Sequence, residues 1–414
     1  MNIHSDAQGM IKRIIADNMP QQAVENALAA HAFTGNIYLV SIGKAAWTMA
    51  EKAADFLGDR LVQGIVITKY EHAQGPLPRI EVYEAGHPVA DENTIAATQK
   101  CIEMVQNLGA GDELLFLVSG GGSALFEAPL EGIGLGDIQN VTNQLLASGA
   151  DIVEINMIRK RFSAVKAGRF AQLAAPAKVF AIILSDVLGD RLDSIASGPA
   201  VSDHSTIEDA ARVAEKYNLQ MSELQREYLL QETPKAIDNV KTVITGSVRT
   251  LCDAAAKAAE SLGYTPIVLT TVKNCEASEA GRLLASIAAD THAGRNSFQR
   301  PCAIIAGGET VVTVKGDGKG GRNQEIALAA AKGIAGLEDV LIFSLGSDGT
   351  DGPTDAAGGI VDGTTAGKLK AQGLDIDKVL ASNDSYNALA AIDSLIITGP
   401  TGTNVNDVSV VLCD

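Results

Sequence analysis

The sequence predicts an α/β protein with two three-layer α/β/α domains, a Rossmann-like parallel sheet in the first and a mixed sheet in the second. Three observations predict this fold class. Short aliphatic runs alternate with alanine-rich helical stretches along the chain. The apolar runs of the first half are continuous, which is typical of parallel strands buried on both faces. At 414 residues the chain is also longer than one hydrophobic core usually organises.

Four runs in the first half are predicted as buried strands: IYLVSI (37–42), GIVITK (64–69), LLFLVS (114–119) and VFAIILS (179–185). The stretch KAAWTMAEKAADFL (44–57) has helical periodicity. Because open α/β sheets bind ligands at the carboxyl ends of their strands, functional residues are expected in the loops that follow these runs.

A polar, helix-prone stretch over residues 202–235 precedes a second series of strands. The predicted strands of this series are TVITG, PIVLTT, CAIIAG, TVVTVKG, VLIFSLG, SLIITG and DVSVVL. Some of them follow each other too closely for a helical crossover, so the second sheet is predicted to be mixed. We therefore expect one domain over residues 1–235 and another over residues 236–414.

Composition and charge exclude several classes of protein. Hydrophobic residues make up 46% of the chain, yet no stretch approaches the roughly 20 apolar residues of a membrane span. The formal charge is −17, from 50 acidic and 33 basic residues, which argues against sequence-independent binding of nucleic acid. Any positive charge that serves an anionic ligand must therefore be local.

The cysteines and the N-terminus predict a cytoplasmic location. The N-terminal segment mixes charges into every turn and lacks the apolar stretch of a secretory signal. No two cysteines are close in sequence, which argues against a disulfide framework and a zinc knuckle; they are Cys101, Cys252, Cys275, Cys302 and Cys413.

A lysine opens the helix that follows the first predicted strand. Lys44 stands in SIGKAA (41–46), at a helix N-terminus where the macrodipole disfavours a cation by roughly 0.3–1 kcal/mol. A bound anion beside Lys44 would offset this cost. A solvated lysine at a frayed helix end is the alternative interpretation, and the local sequence leaves both open.

A glycine-rich loop follows the third predicted strand. Gly120, Gly121 and Gly122 stand between Ser119 and Ser123. Glycine permits positive φ and lets backbone N–H groups approach a ligand, so this loop is a candidate phosphate site to which the two hydroxyls would contribute. A glycine-rich turn with capping serines is the alternative, with equal weight on the local sequence.

Acidic residues follow the fourth predicted strand. Asp186 comes directly after it, and Asp190 and Asp193 lie in the same loop. Carboxylates at a strand end suit Mg²⁺, which takes few protein ligands and keeps bonds to water and phosphate. Acidic residues also cap turns and helices, so metal binding and capping are both open.

A second acidic loop, residues 345–363, holds Asp348, Asp351 and Asp355 among glycines. It lacks the glycine at the sixth position and the glutamate at the twelfth position of a calcium loop. This spacing argues against calcium and leaves magnesium or polar ligand contacts open.

The motif GDGKGG (316–321) has the glycine spacing of a dinucleotide fingerprint. The match is weak, because charged residues occupy the loop and the preceding run resembles one arm of a hairpin. Arg322 follows at a helix start, where an anion is again expected beside a cation. Glu309 is a candidate metal ligand, and a surface carboxylate in a turn is the plainer interpretation.

Several catalytic signatures are absent from the sequence. There is no G-x-x-x-x-G-K-[ST], no protein-kinase motif set, no H-E-x-x-H and no G-x-S-x-G. A lysine, an arginine, a glycine-rich loop and strand-end acids remain. These are the parts that phosphoryl transfer needs, because that reaction depends on positioning and charge neutralisation.

Eight motifs in order resemble the class II glycerate kinases, also called glycerate 2-kinases, whose C-terminal region is the MOFRL domain. The motifs are SIGKAA, EAGHPVADENT, VSGGGSALFEAP, IRKRFSAVKAGRFA, LSDVLGDRLDSIASGP, GGETVVTVKGDGKGGRNQE, GSDGTDGPTDAAGGIVD and TGPTGTNVNDV. The resemblance implies transfer of the γ-phosphate of ATP to D-glycerate, giving 2-phosphoglycerate and ADP with Mg²⁺, in a cleft between the domains. It implies small-molecule partners only, in a monomer or homodimer.

The resemblance also assigns residues. The family's essential lysine and arginine fall on Lys44 and Arg322, its SGGGS loop on residues 119–123, and its metal-side aspartate on Asp186. We expect Lys44, Arg322 and Asp186 to be catalytic, with Asp351 as a second metal ligand. Relatives have also carried the label hydroxypyruvate reductase, so an NAD(P)H-dependent reductase is the alternative function, and a sugar-acid binding protein is a third.

Overall fold

The structure, a computed structural model, describes residues 2–185, 187, 189 and 191–414. Its internal contacts divide the chain into two compact units. The N-terminal unit is Ala23–Thr245, and the C-terminal unit joins Met1–Gln22 to Gly246–Asp414. This division differs from the predicted domains, whose boundary lies between residues 235 and 236 and which place the first residues in the N-terminal domain.

Helices surround both sheets. Numbered along the chain, they are α1 (Ile3–Asp17), α2 (Pro20–Ala29), α3 (Ala46–Leu57), α4 (Glu92–Val105), α5 (Gly122–Leu125), α6 (Leu135–Ala147), α7 (Ile152–Arg161), α8 (Arg169–Leu173), α9 (Ile207–Lys216), α10 (Glu223–Leu229), α11 (Val248–Ser261), α12 (Ala277–His292), α13 (Arg322–Gly333), α14 (Thr365–Ala371), α15 (Ile376–Ala381) and α16 (Ser385–Ala390). None of these described helices is long and apolar enough to cross a membrane.

The N-terminal unit is built on a six-stranded sheet. Its strands are β1 (Asn36–Ile42), β2 (Leu61–Lys69), β3 (Ile80–Ala85), β4 (Asp112–Val118), β5 (Lys178–Leu184) and β6 (Val240–Gly246). They lie in the order β3-β2-β1-β4-β5-β6, and the pairs β2–β3, β1–β2, β1–β4 and β4–β5 are parallel. The predicted Rossmann-like parallel sheet is thus confirmed. Strand β3 was not among the predicted strands, and β6 contains TVITG, which the sequence analysis assigned to the second sheet.

The two faces of this sheet are covered by different helices. Leu115 and Leu117 of β4 pack in an apolar cluster with α2 and α3. Leu114, Phe116 and Val118 of the same strand point to the opposite face and pack with α4 and α8. Since successive side chains of a strand point to opposite faces, a continuous apolar run is what a strand between two helical layers requires.

The strand order places a switch point between β1 and β4. The chain fills one half of the sheet from β1 to β3 and then crosses to β4 on the other side of β1. At such a point the loops that leave two neighbouring strands diverge and open a crevice, where doubly wound sheets bind their ligands. The loop with Lys44 follows β1, and the loop with Gly120 follows β4.

The C-terminal unit is built on a mixed six-stranded sheet, as predicted. Its strands are β7 (Thr265–Lys273), β8 (Cys302–Gly308), β9 (Val340–Gly346), β10 (Gly358–Asp362), β11 (Leu395–Ile396) and β12 (Asp407–Cys413). They lie in the order β11-β10-β9-β12-β8-β7; β7 and β8 are parallel, and the other pairs are antiparallel. The run TVVTVKG (310–316) forms no strand and contributes one bridge, between Val311 and Glu276.

The first helix explains why the N-terminal residues join the C-terminal unit. Ala7, Met10, Ile11 and Ile14 form a buried stripe along α1. Helices α1 and α11 pack together and contact the second sheet, whose other face is covered by α12 and α13. The phenol of Tyr264 donates to a carboxylate oxygen of α1 over 3.1 Å. An amphipathic pattern predicts that a helix packs, but not which sheet it packs against.

Substitution of Phe116 tests the central layer of the first sheet. Phe116 is fully buried and lies 6.0 and 5.1 Å from the rings of Phe126 and Phe170. Removing its ring leaves a cavity, so Phe116→Ala is expected to lower the free energy of unfolding by about 3–5 kcal/mol in urea titration. The control, Phe56→Ala, removes a ring that is 43% exposed and should cost no more than about 1 kcal/mol. Equal losses would contradict this account of the core.

Candidate active site

The Lys44 loop is held against the glycine-rich loop by backbone hydrogen bonds. The N–H of Lys44 donates to the carbonyl of Gly120 over 2.9 Å, and the N–H of Ala45 donates to Oγ of Ser119 over 3.1 Å. Gly43 has a φ of +112°, and a Cβ there would overlap Ser119. The two loops at the switch point are therefore one connected structure, as the strand order requires.

Two backbone N–H groups of the glycine-rich loop have no partner in the part of the protein that the structure describes. Among the described residues, the N–H groups of Gly120 and Gly121 donate to no acceptor. Gly121 has a φ of +86° and lies at the start of α5. Consecutive N–H groups that include a residue with positive φ form a concave anion-binding nest. This geometry favours the phosphate interpretation of the loop over a simple turn.

Basic side chains gather beside this nest. A Cβ built on Gly121 would lie 2.9 Å from Cδ2 of His87 and 3.4 Å from Cγ of Lys44. His72 is nearby, with Nδ1 3.1 Å from the carbonyl oxygen of Lys44. Burial lowers the pKa of His87, and the positive charges of Lys44 and Lys69 lower it further, with a smaller effect from His72. We call these four side chains, Lys44, Lys69, His72 and His87, the cation cluster.

Lys44 has no carboxylate partner within the described part of the chain, where every ion pair involves another cation. The stem of its side chain lies beside Gly121, since Cγ of Lys44 is 3.4 Å from a Cβ built there. The sequence analysis singled out Lys44 but not His72 or His87. The run EAGHPVADENT, which contains His87, was the available signal.

The two serines that flank the glycines both have protein partners. Oγ of Ser119 donates to the carbonyl of Ile42 over 3.2 Å and accepts from the Lys44 loop. Oγ of Ser123 lies 3.1 Å from Oγ of Ser197, which in turn donates to Oδ1 of Asn156 over 3.1 Å. Ser119 and Ser123 therefore tie the glycine-rich loop to its neighbours, and the backbone of residues 120–122 is what faces the cation cluster.

A buried ion pair supports the end of this loop and was not predicted. Lys166 is fully buried, and its ammonium donates to the carbonyls of Ser123 and Phe126 over 3.0 and 2.8 Å. Its partner is the carboxylate of Glu127, 3.2 Å away. Burial lowers the pKa of Lys166 to about 8, although Glu127 acts in the opposite direction. Such a lysine fixes where the carbonyls of the loop point, so it also fixes the N–H groups on their other side.

The acidic loop after β5 is only partly described. Asp186 and Asp190 lie outside the described residues, so their predicted roles stay predictions. Asp193 is described, and its carboxylate lies 3.1 Å from Arg191 and 3.8 Å from Lys160.

In the C-terminal unit, Arg322 is clamped by two carboxylates. Its Nε and Nη2 donate to the two oxygens of Asp407 over 2.6 and 3.0 Å, and Nη1 donates to Glu309 over 2.6 Å. The other oxygen of Glu309 accepts from Asn406 over 3.0 Å. The helix-start argument predicted an anion beside Arg322, and the structure supplies two from the protein itself.

The charges of this clamp support each other. Burial lowers the pKa of Arg322, but Asp407 and Glu309 outweigh burial and raise it. Burial raises the pKa of Asp407 above its usual value, and Arg322 and Lys273 offset part of that rise. A bidentate pair between a guanidinium and a carboxylate is among the strongest polar contacts in proteins. Arg322 is therefore a fixed, fully charged fork with 32% of its side chain exposed.

Asp351 caps the helix that Arg322 opens. Its two carboxylate oxygens accept from the backbone N–H groups of Asn323 and Gln324 over 3.1 and 2.9 Å. Asp351 is 4% exposed, and burial raises its pKa to about 6. Both oxygens are thus engaged by the N-terminus of α13, which is a different role from the metal ligand that the sequence suggested.

The described acids offer little to a metal ion. Within residues 2–185, 187, 189 and 191–414, no group of three or more His, Cys, Asp or Glu side chains is placed to hold one. Glu309 and Asp407 are bonded to Arg322, and Asp351 caps α13. These oxygens already have partners within the protein, and the Mg²⁺ roles predicted for Asp186, Asp190 and Asp351 stay predictions.

The dinucleotide-like motif has a packing role. A Cβ on Gly316 would lie 2.5 Å from Cα of Ser382, and one on Gly318 would lie 2.6 Å from Cβ of Asp384. The N–H of Gly318 also donates to the carbonyl of Ser382 over 2.9 Å. These glycines let two loops of the protein touch. They do not open a space for a pyrophosphate.

Known proteins resemble the whole chain. Residues 6–230 match the domain of unknown function DUF4147, and residues 302–407 match the MOFRL family. The D-glycerate 2-kinase of Thermotoga maritima is 53% identical over 96% of this chain and 95% of its own length. The chain belongs to the MOFRL family of glycerate kinases.

Two further proteins resemble this chain over nearly its full length, one in structure and one in sequence. A crystal structure of a glycerate kinase from Thermotoga maritima superposes with a TM-score of 0.97 at 52% identity, over 99% of both chains. A protein of Agrobacterium vitis named "Putative hydroxypyruvate reductase" is 39% identical over 98% of this chain and 94% of its own length. The cation cluster lies within the first matched region, and Arg322 and Asp407 lie within the MOFRL match.

The raised pKa of Asp351 predicts a pH-dependent stability for this glycerate kinase family member. The folded protein holds the Asp351 proton up to about pH 6, whereas an unfolded aspartate releases it near pH 4. The stabilisation is therefore complete below about pH 4 and lost as the pH rises to about 6. Two pH units correspond to about 3 kcal/mol.

Urea titrations of the native protein and of Asp351→Asn between pH 4 and pH 7 measure this effect. The native protein should lose stability relative to the variant across that window, and the difference should be constant above it. If the free energies of unfolding of the two proteins differ by the same amount at every pH from 4 to 7, the assignment is contradicted.

Proposed function

We propose that this protein transfers the γ-phosphoryl group of ATP to D-glycerate and forms 2-phosphoglycerate and ADP. The observation that carries the proposal is the place of Lys44: it has no carboxylate partner among the described residues, and its stem lies beside Gly121 in a loop where the N–H groups of Gly120 and Gly121 donate to no described acceptor. Membership of the glycerate kinase family supports the choice of substrates. D-glycerate 2-kinase is the name of a relative with 53% identity.

Phosphoryl transfer requires that the spread negative charge of the transferring group be neutralised and held in line. The N–H groups of residues 120–122 would hold nucleotide phosphates, and Lys44 would neutralise the group in transfer. His72 and His87 border the same space. Donors that are already oriented need little reorganisation when the charge develops, which is where such sites gain most of their rate.

Arg322 is proposed to bind an anion of the substrates, the glycerate carboxylate or the transferring phosphoryl group. A guanidinium has five N–H donors. Three of them bond to Asp407 and Glu309, which leaves two within the described structure. The carboxylates hold the plane of the fork, so the remaining donors have a fixed direction. A prepositioned arginine orients its ligand at a low entropic cost.

Mg²⁺ belongs to the proposal through Asp186, on the family resemblance alone. When bound, the ion would neutralise charge on the nucleotide phosphates. Asp351 is assigned instead to the start of α13, where it keeps Arg322 and its neighbours in place. A cytoplasmic location and a monomeric or homodimeric state complete the proposal.

One assay separates the kinase from the reductase. The protein is supplied with D-glycerate, ATP and Mg²⁺, and separately with hydroxypyruvate and NADH. We expect ADP and a phosphoglycerate whose ester position is read by phosphorus NMR. The packing role of Gly316 and Gly318 removes the sequence argument for a dinucleotide site. Oxidation of NADH without formation of ADP would overturn the proposal.

Substitution of the two cations should abolish turnover without unfolding the protein. Lys44→Met and Arg322→Lys are each expected to lower kcat by ~100-fold or more, because each removes charge or geometry that stabilises the transition state. Arg322→Lys is preferred to alanine, since an unpaired buried Asp407 would cost about 3–5 kcal/mol. Steady-state kinetics and thermal unfolding measure both effects.

The control is Lys52→Met on α3, which removes a partly exposed ion pair with Glu25. Its kcat should stay close to that of the native protein. Near-normal turnover of Lys44→Met would show that the cation cluster is not the site of transfer.

Gly121→Val tests the nest directly. A valine there would meet the ring of His87, and the φ of +86° strains any side chain. The KM for ATP is expected to rise at least ~10-fold, while the KM for D-glycerate changes little. Gly111→Val is the control, because a side chain there meets nothing within 4 Å. A larger effect on D-glycerate than on ATP would assign the nest to the other substrate.

A further inference from the structure

A row of four residues crosses the second sheet beside Arg322. Lys273 at the end of β7 pairs with Gly308 of β8, Gly308 pairs with Asp407 of β12, and Asp407 pairs with Gly346 of β9. Both neighbours of Asp407 in the row are thus glycines. No side chain stands between the lysine and the aspartate.

Each glycine of the row is required by close packing. A Cβ on Gly308 would overlap the backbone of Lys273, and a Cβ on Gly346 would lie 3.4 Å from Oδ1 of Asp407 and 3.5 Å from Nδ2 of Asn323. The Asp407 carboxylate therefore lies beside Gly346, and Gly308 allows the backbone of Lys273 to approach β8 closely.

The side chain of Lys273 reaches from β7 to β12. Its side chain is buried, and its ammonium donates to Oγ of Ser409 over 2.6 Å. Ser409 lies two residues after Asp407 on β12, so both side chains are on one face of the sheet. The ammonium has thus reached across β8 to the face of β12 that carries the partner of Arg322.

A second path joins Lys273 to the helix that Arg322 opens. Oγ of Ser409 lies 2.8 Å from Oγ of Ser344, and Ser344 donates to Oδ1 of Asn323 over 2.6 Å. Asn323 is the residue after Arg322. The buried lysine is therefore linked to the clamp both by charge, through Asp407, and by hydrogen bonds, through two serines.

We infer that Lys273 is a positioning residue for Arg322: its ammonium supplies the second positive charge that keeps the buried Asp407 carboxylate ionised and bonded to both arms of the guanidinium. The inference rests on the proposed function, because it assigns a role in the site of Arg322. Glu309 cannot replace this charge, since it is itself an anion of the clamp.

The groups that face Lys273 set the pH range in which it is charged. Burial lowers its pKa to about 8, while Asp407 on β12, Cys252 on α11 and Cys275 just after β7 raise it and Arg322 on α13 lowers it. The ammonium is charged below about pH 8 and neutral above it. Above that pH, Arg322 still pairs with Asp407, but Lys273 no longer contributes a positive charge.

The test compares the native protein with Lys273→Met, which keeps the length of the side chain and removes its charge. We expect kcat to fall ~100-fold, the loss typical of a misplaced catalytic group, with the KM for ATP changed less than about 3-fold. In a pH–rate profile, kcat of the native protein should fall above about pH 8, and this alkaline limb of the profile should be absent from the variant. The control is Lys332→Met, at the exposed far end of α13. It should keep the native kcat and the native decrease of kcat at alkaline pH.

A double-mutant cycle separates positioning from a general loss of structure. If Lys273 acts through Arg322, the pair Lys273→Met with Arg322→Lys should be no slower than Arg322→Lys alone. Multiplicative losses in the pair, or a Lys273→Met protein within about 3-fold of the native rate, would overturn the inference.

Two further measurements cover the remaining outcomes. Should Lys273→Met not fold, Ser409→Ala removes the acceptor of the ammonium, and its alkaline limb should move to lower pH; an unmoved limb would overturn the inference. Should the native protein make no ADP, the proposed function fails, and the inference is decided by the NMR signal of the Arg322 Nε–H, assigned by its loss in Arg322→Lys. That signal should exchange faster with water in Lys273→Met, and an unchanged exchange rate would overturn the inference.

Discussion

The buried carboxylate of Asp407 is the constraint around which the polar centre of the C-terminal unit is arranged. A carboxylate removed from water is costly unless it is paired and hydrogen-bonded. Arg322 meets this need with two bonds of 2.6 and 3.0 Å. On one side of Asp407 the sheet accommodates its carboxylate because the neighbour across the strands is Gly346, where a Cβ would lie 3.4 Å from Oδ1 of Asp407. The buried charge is thus matched by an arginine, by a glycine and by a lysine that reaches across a strand.

The N-terminal unit shows the opposite arrangement. Lys44 and the other members of the cation cluster lie together with no described carboxylate to balance Lys44, and the N–H groups of Gly120 and Gly121 donate to no described acceptor. Neighbouring cations disfavour each other's charged forms, as the lowered pKa of His87 indicates. A phosphate would relieve this repulsion and satisfy the N–H groups together. Ligand binding should therefore stabilise this unit by mass action, whereas the Arg322 clamp is complete before any ligand arrives.

Local pattern predicted the parallel strands and the loops that follow them, because a buried strand and a strand-end loop are properties of neighbouring residues. It could not predict which sheet β6 or α1 joins, since both depend on pairing with distant segments. The same limit applies to Arg322: the helix dipole requires an anion but does not distinguish a ligand from Asp407, 85 residues away. It also applies to Cys302 and Cys413, which are far apart in sequence and face each other as a pair across β8 and β12.

The two glycine-rich motifs, residues 119–123 and 316–321, are similar in sequence. They differ in the atoms that a side chain at a glycine would contact. At Gly316 it would meet the backbone of Ser382, so the glycine serves the contact of two loops. At Gly121 it would meet the ring of His87 and the stem of Lys44, and the N–H groups of Gly120 and Gly121 donate to no described acceptor. The first kind of glycine serves the contact of two backbones, whereas the second brings N–H groups close to basic side chains. Spacing alone cannot separate these cases. The surroundings of each glycine do, and they favour a phosphate site in the loop after β4 over a dinucleotide site before α13.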